Sequence, residues 1–275
     1  LEFEYAMSWS NGYRDLLSSF IPEAVGGGSG EWVSKNSEFA KQMKLRQDLQ
    51  LPTYWGELPF TSGPAYFGAI VFFLFLFGAF AVKGELKWWL VISVLFTFLL
   101  SLGKNFSVLN QILFDYLPLF NKFRTPNSVL SVTAGLIPIL GILGLSQLVK
   151  SDSRDSYLKP LYYAYGIMAS ICILLLLFGS SIFSFSGSSD ENYKDFIDAL
   201  VDQRKSMLFS STLHTFLLIS VSAGLIYGFI KNKLATACLL YTSPSPRDRT
   251  RSRMPSSACK KNTTKQHNKH IILEV

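Results

Sequence analysis

Five apolar runs, almost free of charge, dominate the chain: Tyr66 to Val82, Leu86 to Leu102, Val129 to Val149, Leu161 to Phe185 and Met207 to Ile230. Each approaches the roughly 20 residues a helix needs to cross about 30 Å of hydrocarbon. A helix on the surface of a water-soluble domain carries a polar stripe, and these runs have none. The chain is 49% hydrophobic and 16% charged over 275 residues, with 23 Phe. One aqueous core of this size has no room for all of that, so lipid has to cover part of it. The fold class expected is therefore all-α, a polytopic helical membrane protein with about five transmembrane helices and a loop-rich N-terminal extramembrane segment.

Three parts follow: residues 1–64 as a loop-rich extracytoplasmic segment, 65–233 as a transmembrane bundle, and 234–275 as a tail. The first part scatters Trp9, Tyr13, Trp32 and Trp55 among charges around the flexible Gly26-Gly27-Gly28-Ser29-Gly30. Ser37 to Leu49 is its best helix candidate, closed by Pro52. The first two runs share only the link Lys83-Gly84-Glu85, which predicts a tight helical hairpin. Between the second and third runs, Ser107, Gln111 and Asp115 fall four apart while Leu109, Leu113 and Leu117 take another face. That spacing predicts an amphipathic helix on a membrane surface over Phe106 to Phe120. The acidic stretch Ser186 to Lys205 predicts a short extramembrane helix.

Lys83, Lys87, Lys150, Arg154, Lys159, Lys231 and Lys233 crowd the short links. The positive-inside rule puts those links in the cytoplasm and gathers residues 1–64, 103–127 and 186–205 on the outer side. Trp88, Trp89, Tyr162, Tyr163 and Tyr227 fall near run ends, where amphipathic rings settle at the headgroup layer.

The net charge of +7 does not indicate nucleic acid, because much of it lies in the tail after Leu240. Tyr241-Thr-Ser-Pro-Ser-Pro-Arg-Asp-Arg-Thr-Arg-Ser-Arg resembles translated sequencing adapter, which places the end of the true reading frame near 235 to 240. A natural disordered basic tail is the alternative. No leader segment opens the chain, which reads as a fragment of a longer protein.

Ionisable groups are scarce in the runs, which disfavours a coupled transporter. His214 is the lone candidate there and reads as a helix-packing residue. Pro138, with Gly135, Gly141 and Gly144, predicts a kink and close helix approach. The chemistry concentrates in two Pro-rigidified aromatic segments that feed into spans, Pro52 to Pro64 and Tyr116 to Asn127. Arg124 suits bidentate bonding to a phosphate and Lys122 supplies a point charge beside it. The bland alternative is that both cations snorkel and Trp55 is an interfacial anchor.

Tyr54-Trp55-Gly56-Glu57-Leu58-Pro59-Phe60-Thr61-Ser62-Gly63-Pro64 and Phe120-Asn121-Lys122-Phe123-Arg124 resemble the bacterial YfhO-type membrane proteins. Trp9 to Tyr13 and Ile21 to Gly30 are similar to the outer loop of the same family, so the likeness covers about residues 5 to 235. It implies a multispan glycosyltransferase-like protein of the bacterial cytoplasmic membrane. Such a protein uses a polyprenyl-phosphate-linked sugar at the outer face for transfer to a cell-envelope polymer or lipid. Tyr54, Trp55, Glu57, Lys122 and Arg124 are then the substrate-binding candidates. The family's acidic first outer loop has no counterpart here, so neither Glu57 nor Asp115 maps onto the catalytic acid, and the catalytic residues stay unassigned. No metal or cofactor is expected, and the partners expected are membrane lipids and the lipid-linked sugar, not nucleic acid. The rival readings are a flippase for lipid-linked sugars and a noncatalytic scaffold of envelope assembly.

Overall fold

The computed structural model describes residues 2–33, 49–187 and 190–233. Over these residues the chain is mostly helical, with one two-stranded antiparallel sheet. The elements in order are α1 (Phe3–Ala6), β1 (Glu31–Val33), β2 (Leu49–Leu51), α2 (Ala69–Ala81), α3 (Glu85–Ser101), α4 (Ser107–Tyr116), α5 (Leu130–Lys150), α6 (Leu158–Ile182) and α7 (Ile197–Ile230). Short 3-10 turns join several of them.

Among the described residues three helical stretches are long and apolar enough to cross a membrane: Pro126–Lys150, Arg154–Ile182 and Ile197–Ile230. The count rises to four if α3 and the bent stretch after it form one broken span, turned by 114°. The expectation of about five spans is therefore too high by length. The shortfall lies in the first run, where α2 has 13 residues, about 20 Å of helix. Tyr66, Phe67 and Gly68 are withheld from that helix. The Phe67 amide donates to the Ser19 carbonyl oxygen at 3.0 Å, the Tyr66 hydroxyl accepts the Ala69 amide at 3.0 Å, and Gly68 takes a φ of +105°. The start of the run is spent on tethering the N-terminal segment.

The tight hairpin also takes another form. Val82 is extended and Gly84 has φ +103°, so the link is short. Yet α2 and α3 are joined chiefly through α5, in a cluster of Phe75, Val82, Leu90, Val94, Ile137 and Leu140. Of the glycines expected in close contact, Gly141 and Gly144 lie against α2, whereas Gly135 meets nothing within 4 Å. A Cβ on Gly78 would overlap the Leu140 carbonyl oxygen, and one on Gly144 would stand 2.8 Å from the Gly78 Cα. Small residues thus bring two backbones together. Pro138 lies inside an uninterrupted α5.

Among the described residues the acidic stretch before the last run forms no separate α-helix. Asp190–Phe196 is a 3-10 stretch, and from Ile197 the chain is already in α7, a helix of 34 residues and roughly 50 Å. The amphipathic helix before the third run is α4, shorter than expected, with Gln111 donating to both Asp115 oxygens at 3.0 and 3.1 Å. His214 lies on the exposed side of α7 and is not packed between helices. Residues 37–48 of the expected helix Ser37 to Leu49 fall outside the described residues, while Leu49 belongs to β2. The tail from 234 onward falls outside them as well.

The loops gather at the two ends of the bundle. At one end the Asn11 amide donates to the Ser101 carbonyl oxygen and the Thr125 amide to that of Ala6. At the other end Lys231 pairs with Asp155 at 2.9 Å, and Arg154 donates to Asn232 while its guanidinium lies over Phe229. The main core crosses from the N-terminal segment into the helices. Phe20, Ile21, Val25, Trp55 and Phe185 belong to one buried cluster with Phe73, Phe77, Met168, Leu208 and Phe229.

Candidate functional site

Asp15 organises the loop end. Its Oδ2 accepts the Gly12 amide at 2.6 Å and the Glu57 amide at 3.3 Å, and its Oδ1 accepts the Tyr54 hydroxyl at 2.8 Å. The Tyr54 oxygen in turn accepts the Leu58 amide at 3.0 Å. Burial pushes the Asp15 carboxyl above the usual carboxylate range, although these hydrogen bonds pull the other way. Burial and the neighbouring carboxylate likewise raise the Tyr54 phenol. Gly56 has to be glycine, because a Cβ there would overlap the Asp15 carboxylate and the Tyr54 hydroxyl.

A second clamp lies behind this one. Arg204, from the first turns of α7, is fully buried and forks onto Asp190 through Nη1 and Nη2 at 2.9 and 2.8 Å. The same guanidinium donates to the carbonyl oxygens of Pro52, Thr53 and Phe185 at 2.8, 3.2 and 2.7 Å. One side chain thereby joins α7, Phe185, Asp190 and the strand end before Trp55. Arginine suits this task because its planar fork carries five donors and keeps its charge when buried.

The five sequence-predicted site residues divide between interior and surface. Tyr54 and Trp55 are buried, the ring of Trp55 packing on Phe183 and Phe185. Glu57 is exposed and accepts the Asn105 side chain at 2.7 Å, and the same Asn105 amide donates to the Asn11 carbonyl oxygen. Lys122 and Arg124 are exposed on the turn between α4 and α5. Arg124 donates to the Tyr5 hydroxyl at 2.5 Å and lies over that ring, 5.1 Å from its centroid. The cation over Trp55 is instead Arg14, 5.9 Å from the centroids of both Trp55 and Phe183. Trp55 Nε1 is buried without a hydrogen-bond partner among the described residues.

An apolar cavity of about 340 Å³ opens beside Lys122 and Arg124, bounded by Met7, Leu100, Phe120, Phe123, Val129 and Val132. Phe120, Phe123 and Thr125 line the cavity, Phe123 being 71% exposed, and Lys122 and Arg124 are exposed on the same turn. A larger, more polar groove of about 570 Å³ lies elsewhere in the N-terminal segment, where Glu23, Glu31 and Trp32 contribute to its wall. Among the described residues no three His, Cys, Asp or Glu side chains converge as a metal site.

Sequence reasoning missed Arg14, Asp15, Asp190 and Arg204. Arg14 and Asp15 directly follow the aromatic motif at Trp9 to Tyr13, so proximity to that motif was an available signal. Arg204 lies in the acidic stretch Ser186 to Lys205, and nothing local reveals that it reaches back to residues 52–54. Comparison with family models, with curated proteins and with solved structures finds no match to this chain.

Proposed function

We propose that this chain is part of a multi-pass protein of the bacterial cytoplasmic membrane that handles a polyprenyl-phosphate-linked sugar at the outer face. In this reading α5, α6, α7 and the broken α3–α4 unit cross the bilayer, the short α2 carries the chain between the two ends inside the bundle, and the end carrying Asp15 and Arg204 faces outward. Large apolar side chains left exposed along these helices, such as Ile92, Leu95, Ile142, Leu177 and Val221, support contact with lipid. The short basic links support a cytoplasmic position for the opposite end.

The observation that carries the functional reading is the apolar cavity with two cations beside it. An isoprenoid chain needs an apolar recess, and its phosphate needs cations at the headgroup level. Phe120 and Phe123 bound the recess, and Lys122 and Arg124 are exposed on the same turn. Arg124 offers a phosphate a bidentate fork, already oriented by Tyr5, and Lys122 adds a point charge. In inverting transfer these cations would steady the departing phosphate, while a base deprotonates the acceptor hydroxyl.

The test uses the full-length parent protein in membranes and follows labelled sugar from polyprenyl phosphate to acceptor. Arg124→Ala is expected to lower turnover about a hundredfold, the scale of removing one stabilising donor from a developing charge. Unchanged turnover and unchanged binding of polyprenyl phosphate would remove the assignment of Arg124.

A further inference from the structure

The groove of about 570 Å³ in the N-terminal segment has no part in the lipid-phosphate reading. Its wall includes Ser18, Glu23, Glu31, Trp32, Ser62 and Tyr66, and every charged residue described there is an anion. Glu31 is fixed from below. Its Oε2 accepts the Thr53 hydroxyl at 2.7 Å, and a Cβ at Gly27 would overlap its carboxylate, so the glycine makes room for the charge. Glu23 is held across the groove at an unusual left-handed φ of +57°, with its Oε2 accepting the Ser211 hydroxyl of α7 at 3.2 Å. A glutamate kept in that conformation is strained, and such strain persists only where the surroundings enforce it. Partial burial raises the Glu23 carboxyl above its ordinary range, and the charge of Glu31 raises it further. Both carboxylates line the one groove.

Two further residues line the same groove. Trp32 is 68% exposed, a large aromatic surface left without cover. Ser18 contributes to the wall while its Oγ is fully buried with no hydrogen-bond partner among the described residues. A buried hydroxyl without a partner is disfavoured, and a bound polar group that reaches it removes the penalty.

We propose that this groove binds a primary ammonium group, with Glu23 and Glu31 supplying countercharge, Trp32 a cation–π face and the Ser18 hydroxyl an acceptor. An ammonium relieves the repulsion between the carboxylates and satisfies the orphan oxygen together, which a neutral hydroxyl ligand does only in part. The same chemistry is carried by the aminoethyl headgroup of a phospholipid and by a soluble amino sugar. The proposal uses neither Lys122 nor Arg124, so it stands or falls apart from the lipid-phosphate reading.

The test is calorimetric titration of the full chain in phosphatidylglycerol nanodiscs with glucosamine, ethanolamine and, as the uncharged control, N-acetylglucosamine. The two amines are expected to bind saturably and the acetylated sugar not to bind. Glu31→Gln is expected to weaken amine binding about tenfold. Because Glu31 also holds Thr53, Trp32→Ala serves as a second variant that disturbs no buried contact, and it is expected to weaken binding several-fold. Absence of saturable amine binding, equal binding of the acetylated sugar, or undiminished amine binding in both variants overturns the proposal. Repeating the titration with phosphatidylethanolamine in the nanodisc separates the two sources. Suppressed glucosamine binding assigns the groove to the headgroup, and unaltered binding assigns it to a soluble amine.

Discussion

Arg204 has its entire side chain buried, and its donors go to one carboxylate and to carbonyls of two loops. Removing it leaves Asp190 and those carbonyls without their partner, and breaking a buried pair on one side is strongly destabilising. Arg204→Met is expected to destabilise the folded protein by about 3 kcal/mol, read as a lowered thermal midpoint in detergent. An unchanged midpoint would show that the guanidinium does not hold the loops. The same residue shows why the site was only half legible. Trp55, Glu57, Lys122 and Arg124 were conspicuous in sequence because Pro and aromatic residues flank them, and local chemistry of that kind is visible in a string. What surrounds Trp55 is set by contacts spanning tens of residues, so Arg14 and Phe185 could not be read beside it.

Among the elements, α5, α6 and α7 begin within a few residues of the apolar runs that predicted them or, for α7, ten residues earlier. Hydrophobic runs of that length leave a helix little choice in where to lie, whereas helix ends depend on tethers. Tyr66 and Phe67 are as apolar as their neighbours, yet their bonds to Ala69 and Ser19 keep them out of α2. The sheet pairing Glu31 with Leu51 was invisible for a related reason, since three-residue strands carry almost no periodicity. Close approach of α2 and α5 can be tested by a pair of substitutions. Gly78→Ala places a methyl against the Leu140 carbonyl, backbone that cannot swing aside, and is expected to destabilise by about 1 to 3 kcal/mol. Gly135→Ala on α5 meets nothing within 4 Å and is expected to be neutral or stabilising by up to about 1 kcal/mol. Equal effects in thermal unfolding would contradict the close packing at Gly78.

For the molecule as a whole, the loop segments at one end share a core with the helices, while Arg154, Asp155, Lys231 and Asn232 hold the other end together. The membrane reading requires these ends to lie on opposite sides of a bilayer. Cysteine accessibility measures this directly, in the protein with Cys172, Cys238 and Cys259 replaced. Gly30→Cys and Asp152→Cys place one thiol at each exposed end. An impermeant maleimide added to intact cells is expected to label Gly30→Cys at once and Asp152→Cys only after the membrane is opened. Labelling of both positions in intact cells, or of neither until lysis, would contradict the bilayer-spanning arrangement.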